Sequence, residues 1–315
     1  MIQLRRLAAD TVALWLVLAA LIAFFSWRTP HFLTPATFST LASQIPDAVA
    51  LAVGMTLVLI AGGIDLSVGS VLALSSAALG VALTQWKLPL PIGSLVGLLI
   101  GCACGAVNGL VTIRWRLPAF IVTLAMMEAA RGATYLATDS RTLYLGRSVQ
   151  GLAEAKLQGV PLPFLLALAL VGGAQFVLAR MAFGRCLVAI GTNAEAARLS
   201  GLPVARVRLT VFALSGACAA LAGLMQTSRL ASVDPNMGAG AELAALAAAV
   251  IGGTSLSGGR GSVVSTFLGV LIIAVLGAGL AQIGAQEPTK RLVTAAVIVA
   301  AAVADHYRQR KGACR

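Results

Sequence analysis

Residues 180–208 read RMAFGRCLVAIGTNAEAARLSGLPVARVR, a polar, arginine-rich segment between two long apolar runs. Thr192 or Asn193 can cap a short helix there, and Glu195 stands in its first turn, where the helix dipole favours an anion. Gly201 is a typical helix stop. A helix of about seven residues is only about 10 Å long and is unstable alone in water. We therefore expect the rest of the chain to hold it.

The composition around this segment is that of a membrane protein. Of the 315 residues, 59% are hydrophobic and 11% are charged, with a mean hydropathy of +0.93, whereas soluble domains carry about 25% charged residues. The formal net charge is +12. Because the basic residues cluster between apolar runs, they indicate cytoplasmic loops and anionic lipid rather than nucleic acid. This composition argues against a soluble enzyme.

Apolar runs of about 20 residues predict an all-α integral membrane protein with about ten transmembrane helices in one domain, residues 1–315. The predicted spans are 11–27, 47–61, 67–85, 91–113, 118–137, 162–180, 209–228, 241–257, 262–281 and 289–304. With both termini on the side of residues 180–208, that side holds the larger share of arginine and lysine. We therefore expect the N- and C-termini and residues 180–208 in the cytoplasm.

A glycine-rich break, GGIDLSVGS at residues 62–70, separates the second apolar run from the third. Backbone that leaves a helix inside a membrane must be buried in protein or line a watery cavity. Gly63, Asp65 and Ser67 are therefore candidates for a translocation path. The alternative is structural, since Asp65 or Ser67 can cap the next helix.

A second break, GGTSLSGGRGS at residues 252–262, repeats the features of the first. Both begin with Gly-Gly and contain Leu-Ser, and Gly253 and Ser255 occupy the start of the second one. The repetition is consistent with related halves, which many transporters have, but one short match is weak support for a duplication.

Four further polar residues within or beside predicted spans are candidates for the path or for helix contacts. They are Asn108, Glu128, Arg131 and Glu242. Glu128 and Arg131 are three residues apart on one helix, so a structural ion pair is expected. Asn108 lies on a helix whose glycines fall four residues apart, which predicts close helix packing. These glycines are Gly101, Gly105 and Gly109. We expect Glu242 at the membrane interface.

Motifs for catalysis are absent from the sequence. It contains no G-x-x-x-x-G-K-[ST] for ATP, no H-E-x-x-H for zinc and no G-x-S-x-G elbow. We therefore expect no catalytic residue, no metal site and no cofactor in this chain.

The chain resembles the ribose/xylose-type permeases of bacterial ABC sugar importers along nearly its whole length. The resemblance rests on GMTLVLIAGGIDLSVGSVLAL, PAFIVTLAMMEAARG, FGRCLVAIGTNAEAARLSG, ELAALAAAVIGGTSLSGGRGS and VTAAVIVAAAVAD, in this order. One departure is the eighth span, GAGAELAALAAAV, where relatives often carry an aromatic residue and an aspartate around the Glu-Leu pair. This departure leaves the solute or the partner subunit open.

The resemblance implies a multi-pass subunit of the bacterial inner membrane that forms the translocation path for a monosaccharide or sugar-like solute. It also implies three partners: a second permease subunit, a cytoplasmic ABC ATPase that binds ATP and magnesium, and a periplasmic solute-binding protein. In the family, the short helix contacts the ATPase. The residues that match this coupling element are Asn193, Glu195, Ala196, Ala197, Arg198 and Gly201.

Two other classes of function stay open from the residues alone. An ion-coupled secondary transporter or channel would use Asp65 or Glu128 and would need no ATPase, so a capped cytoplasmic helix would have no purpose in it. A structural membrane scaffold would need these carboxylates only for assembly.

Overall fold

The computed structural model describes residues 2–286, 288–290, 292–297 and 299, with side chains from Thr11 onward. The fold is helical. Its helices are α1 (Ile2–Arg28), α2 (Pro35–Gln44), α3 (Pro46–Ile60), α4 (Val68–Thr84), α5 (Leu90–Trp115), α6 (Ala119–Ala137), α7 (Arg147–Glu154), α8 (Leu162–Arg180), α9 (Ala182–Thr192), α10 (Ala194–Leu199), α11 (Val204–Leu230), α12 (Ala241–Ile251) and α13 (Val263–Gln282).

Within the described residues, four two-residue strands form two small antiparallel pairs. β1 (Leu143–Tyr144) pairs with β4 (Ser232–Val233), and β2 (Lys156–Leu157) pairs with β3 (Val160–Pro161). The first pair joins the segment after α6 to the segment after α11, so these two distant loops lie at the same end of the molecule.

Five helices in the described part of the chain are long and apolar enough to cross a membrane: α1, α5, α8, α11 and α13. The bent pair α2 and α3, which turns by 47°, makes a sixth if it is one span. These helices establish the predicted all-α, multi-pass class. The predicted span 241–257 is shorter than expected, because α12 ends at Ile251, where the second break begins. Most of the predicted span 289–304 lies outside the described residues.

The predicted glycine face of α5 packs directly on α11. A Cβ atom added at Gly101 would lie 2.5 Å from the carbonyl oxygen of Gly216, and one at Gly105 would overlap the carbonyl oxygen of Phe212. Only glycine allows the two backbones to approach this closely, so the predicted tight helix packing is confirmed.

Helix α11 connects the two ends of the bundle. Its 27 residues give a length of about 40 Å at 1.5 Å per residue. It starts just after α10 and ends just before β4. The break after α3 meets the end of α9, since the backbone of Gly191 lies against that of Ile60. One end of the bundle therefore holds the predicted coupling helix and the glycine-rich breaks, and the other holds the strands.

Candidate functional site

The short helix predicted in the polar segment is α10, and Asn193 is its cap. The Asn193 Oδ1 accepts the backbone N–H of Glu195 at 3.1 Å and that of Ala196 at 2.9 Å. Thr192, the other predicted cap, is instead the last residue of α9. The six residues of α10 form a rod of about 9 Å.

The outer face of α10 carries one ion pair and one apolar side chain. Arg198 donates two hydrogen bonds to the Glu195 carboxylate, from Nη2 to Oε1 at 2.6 Å and from Nε to Oε2 at 3.1 Å. These hydrogen bonds, together with the positive charge of Arg198, hold the pKa of Glu195 below its ordinary value. Leu199 follows directly and is 75% exposed. Leu199 was not predicted, because a single exposed aliphatic residue is common on protein surfaces and carries no signal in the sequence.

The opposite face of α10 is anchored in the protein. Ala197 is buried against the main core. After the helix, Gly201 takes a φ of +81°, its N–H donates to the Arg198 carbonyl at 3.0 Å, and the Leu202 N–H donates to the Ala197 carbonyl at 3.1 Å. This glycine stop closes the helix. The rod is therefore fixed at its start by Asn193, at its end by Gly201 and along one side by Ala197.

The first break is organised by the Asp65 carboxylate, which is 1% exposed. Its Oδ1 accepts the backbone N–H of Ser67 at 3.0 Å and the Ser67 hydroxyl at 2.6 Å, and its Oδ2 accepts the Ser215 hydroxyl of α11 at 2.8 Å. Within the described residues, no basic side chain pairs with Asp65. Three donors thus hold a buried acid just ahead of α4. The expected helix cap is not formed, because Asp65 accepts the N–H of Ser67, the residue before the helix, and no described side chain accepts an N–H of the first turn of α4.

Side chains of two further helices form hydrogen bonds with the same break. The Asn108 Nδ2 of α5 donates to the Ser67 hydroxyl at 2.9 Å. The Thr123 hydroxyl of α6 donates to the Ile64 carbonyl and accepts the Leu66 N–H, both at 3.1 Å. Asn108 was predicted, whereas Thr123 was missed together with Ser215. Hydroxyl groups in apolar helices are common, so only the three-dimensional contact distinguishes these two.

The second break is held mainly by backbone atoms and glycines. The Ser255 N–H donates to the Arg260 carbonyl at 3.0 Å, which closes the loop. Its hydroxyl lies 3.4 Å from that of Ser257. Gly253 has a φ of +79°, a conformation that side chains other than glycine rarely adopt. The Gly259 N–H donates to the Ile60 carbonyl at 2.9 Å, so the two breaks predicted from one repeated motif touch each other.

The helix that follows the second break is capped by a distant residue. The Gln175 Oε1 of α8 accepts the N–H of Val263 at 2.9 Å and that of Val264 at 3.3 Å. Ser262 adds a local cap, since its hydroxyl accepts the Ser265 N–H at 3.3 Å. Gln175 thus accepts two N–H groups of the first turn of α13, and it was not predicted because it lies in another helix.

The predicted ion pair between Glu128 and Arg131 is wrong. Arg131 turns away and donates from Nη1 to the carbonyl oxygens of Pro235 at 2.6 Å and Met237 at 2.9 Å. The loop before α12 holds these two carbonyls in a fixed, partly buried position. The Arg131 guanidinium therefore binds them in preference to the exposed Glu128 carboxylate on its own helix. Glu128 is left exposed on the surface of α6, with no ion pair to any described residue.

Glu242 lies in the first turn of α12, where its Oε1 accepts the Gly240 N–H at 3.2 Å, and its Oε2 lies against the backbone of Gly69 at the start of α4. The same helix borders a cavity of about 390 Å³. Several of its alanines line this cavity: Ala241, Ala244, Ala245 and Ala248. Ala241 and Ala244 flank the Glu-Leu pair, so the departure noted in the eighth span lies at the cavity wall. No metal-binding group of three or more His, Cys, Asp or Glu residues occurs in the described part of the chain.

The family model described as "Branched-chain amino acid transport system / permease component" matches residues 37–302. The ribose import permease protein of Haemophilus influenzae is 37% identical over 298 residues, which cover 93% of this chain and 92% of that protein. The ribose import permease protein of Bacillus subtilis is 39% identical over 297 residues, with 93% and 92% covered.

The xylose transport system permease protein of Escherichia coli is 34% identical over 363 aligned positions, with 94% of this chain and 92% of that protein covered. No solved structure matches the chain. The alignments cover nearly the whole length of this chain and of each relative, so they include the bundle, both breaks and α10.

Proposed function

The chain belongs to the permease family of ABC sugar importers, and from this premise we propose that α10 is the helix that receives its ATPase. The chain is a transport subunit rather than an enzyme, and family membership implies an ATPase and a solute-binding protein as partners. ATP and magnesium would be bound by the ATPase. The ion-coupled alternative is not favoured by this membership.

The observation that carries the proposal is the exposed, doubly anchored rod of α10. Glu195 and Arg198 form an exposed pair and Leu199 offers an apolar contact beside it. A partner that covers this face would gain apolar burial from Leu199 and fixed charges for orientation. Because the caps fix α10 to the rest of the protein, a force applied to α10 is transmitted to the helix bundle.

The proposed membrane orientation has about ten spans with both termini in the cytoplasm. It is supported by the grouping of α10, the start of the first break and the second break at one end of the bundle, and of the strands and α7 at the other. The α10 end is rich in arginine, as expected for the cytoplasmic side of a bacterial inner membrane. The solute-binding protein would then dock at the strand end.

We further propose that the exposed face of α6 meets a second permease subunit, either an identical copy or a paralogue. Glu128 lies on this face among apolar side chains such as Leu124 and Leu136. A carboxylate facing lipid in mid-span would be costly, so a protein surface or a watery path must cover it. The sugar-like solute would pass beside Glu128 between the two subunits, and a Glu128→Leu variant should insert normally but transport poorly.

The coupling role is tested by two variants, one that reverses a charge on α10 and one that removes the glycine that ends it. Glu195→Arg and Gly201→Pro should abolish ATP-driven uptake of radiolabelled ribose, xylose and arabinose into proteoliposomes that hold the complete importer. The amount of permease in the membrane should stay unchanged. Glu154→Arg is the charge-reversal control for binding of the ATPase, which it should leave unchanged, because Glu154 is an exposed acid at the other end of the bundle. Normal uptake by both α10 variants would overturn the proposal.

A further inference from the structure

Three segments that are distant in sequence meet through their backbones at the α10 end of the bundle. They are the end of α3 at Ile60, the end of α9 at Gly191 and the second break at Gly258 and Gly259. The Gly259 N–H donates to the Ile60 carbonyl at 2.9 Å. We call Ile60, Gly191, Gly258 and Gly259 the glycine clasp.

The contacts in the clasp leave no room for side chains. A Cβ atom at Gly191 would overlap the Ile60 carbonyl oxygen and lie 2.5 Å from the Gly259 nitrogen. One at Gly258 would lie 2.7 Å from the Gly191 carbonyl oxygen, and one at Gly259 would overlap the Thr192 hydroxyl. Gly258 and Gly259 also have φ values of +88° and +74°, so their backbone shape requires glycine as well.

The clasp is continuous with α10. Gly191 is followed by Thr192, the last residue of α9, and then by Asn193, the cap of α10. No flexible linker separates the rod from the clasp, and Asn193 is bound to α10 by two hydrogen bonds. A displacement of α10 must therefore move Gly191, and the close contacts at Gly191 must pass that movement to Ile60 and Gly259.

We propose that Gly191, Gly258 and Gly259 are positioning residues for coupling, which transmit movement of α10 to both helix breaks at once. Ile60 leads into the break that Asp65 organises, and Gly259 belongs to the break before α13. Packed backbones move as a unit because close-packed interiors transmit displacement. This inference rests on the proposed role of α10 as the contact of the ATPase.

The test is Gly191→Ala in the complete importer, reconstituted in proteoliposomes with radiolabelled ribose, xylose and arabinose. Two quantities are measured, the affinity of the ATPase for the permease and the amount of sugar taken up per ATP hydrolysed. The variant should bind the ATPase normally while uptake per ATP falls at least tenfold. The control is Gly173→Ala, since a Cβ there meets nothing within 4 Å, and it should match the parent.

An assembled Gly191→Ala importer with the parental uptake per ATP would overturn the clasp. If Gly191→Ala does not reach the membrane, Thr192→Ala is used to test the clasp instead. It removes the hydroxyl that packs against Gly259 and should lower uptake per ATP at least threefold. Thr210→Ala is its control, because both hydroxyls are exposed and bond the carbonyl four residues earlier at 2.9 Å. Equal ratios for the two threonine variants would overturn the clasp, whereas failure of the parent to bind the ATPase would overturn the role of α10.

Discussion

The two glycine-rich breaks have nearly the same sequence signature but different internal support. In the first, the buried carboxylate of Asp65 gathers donors from its own loop and from α11. In the second, the loop closes through the backbone of Ser255 and Arg260, and the next helix is capped by Gln175 from α8. At the first break the acid orders the loop ahead of α4, whereas at the second break Gln175 accepts free N–H groups of α13 itself. The first break depends on one carboxyl group, and the second on backbone groups and an amide.

This difference predicts unequal tolerance to substitution. A local carboxylate that serves three donors cannot be removed without leaving buried polar groups unsatisfied. A break held by several backbone contacts should lose less at any single position. The comparison can be tested at each break in turn.

The largest effect is expected at Asp65. Asp65→Ala leaves the Ser67 N–H and two hydroxyls without their acceptor, which should lower the free energy of unfolding by about 2 kcal/mol or more. Asp65→Asn keeps an oxygen that can accept the Ser67 N–H and should retain partial transport. Thermal unfolding in nanodiscs and sugar uptake in proteoliposomes check both. Complete loss of uptake in a correctly inserted Asp65→Asn protein would favour a role that needs the charge itself.

A smaller effect is expected at Gln175. Gln175→Ala removes the acceptor of two N–H groups at the start of α13, but Ser262 remains as a second cap. The cost should be about 1 kcal/mol in unfolding free energy. Gln150→Ala, at a partly buried glutamine of α7, is the control and should change little. A cost at Gln175 as large as that of Asp65→Ala would remove the contrast between the breaks.

The effect at Gly253 should come from the backbone alone. Its φ is +79° and a Cβ atom there would meet nothing within 4 Å, so Gly253→Ala adds strain without a clash. The expected cost is about 1 kcal/mol in unfolding free energy. Gly173→Ala in α8 should be neutral or slightly stabilising, because alanine favours a helix. Equal stability of the two variants would show that the second break adapts its backbone freely.

The smallest effect is a pH dependence on α10, which lies beside both breaks. The pKa of Glu195 is lowered in the folded protein by its hydrogen bonds to Arg198. A lowered pKa means that the pair contributes above the unfolded pKa and is lost as the pH falls through the folded one. The difference in melting temperature between the parent and Glu195→Gln should therefore be small at neutral pH and vanish in acid. A difference that grows in acid would contradict this sign.

Local features of the sequence predicted much of this arrangement. The cap at Asn193, the stop at Gly201, the acid at Asp65 and the glycine face of α5 all depend on residues close to one another in the chain. Each could be recognised because the residues that form the pattern lie within a short segment or on one helix face, although Asp65 and the α5 glycines also contact α11.

Features that depend on distant partners were not predictable in this way. Gln175 lies 88 residues before the N–H of Val263 that it caps. Arg131 was expected to pair with Glu128, three residues away, but two carbonyls more than 100 residues along the chain bind it. The boundary of α12 was also misplaced, because the predicted span 241–257 included the first residues of the second break, GGTSLS, whereas α12 ends at Ile251. Tertiary contacts decide these cases.

The central claim is that α10 faces the ATPase, and site-specific cross-linking tests it most directly. A photoreactive amino acid would replace Leu199 on α10 or Leu157 on β2, which are 75% and 63% exposed at opposite ends of the bundle. In cells that hold the complete importer, position 199 should cross-link to the cytoplasmic ATPase and position 157 should not. An ATPase adduct at position 157, or none at position 199 in a fully assembled importer, would contradict the account.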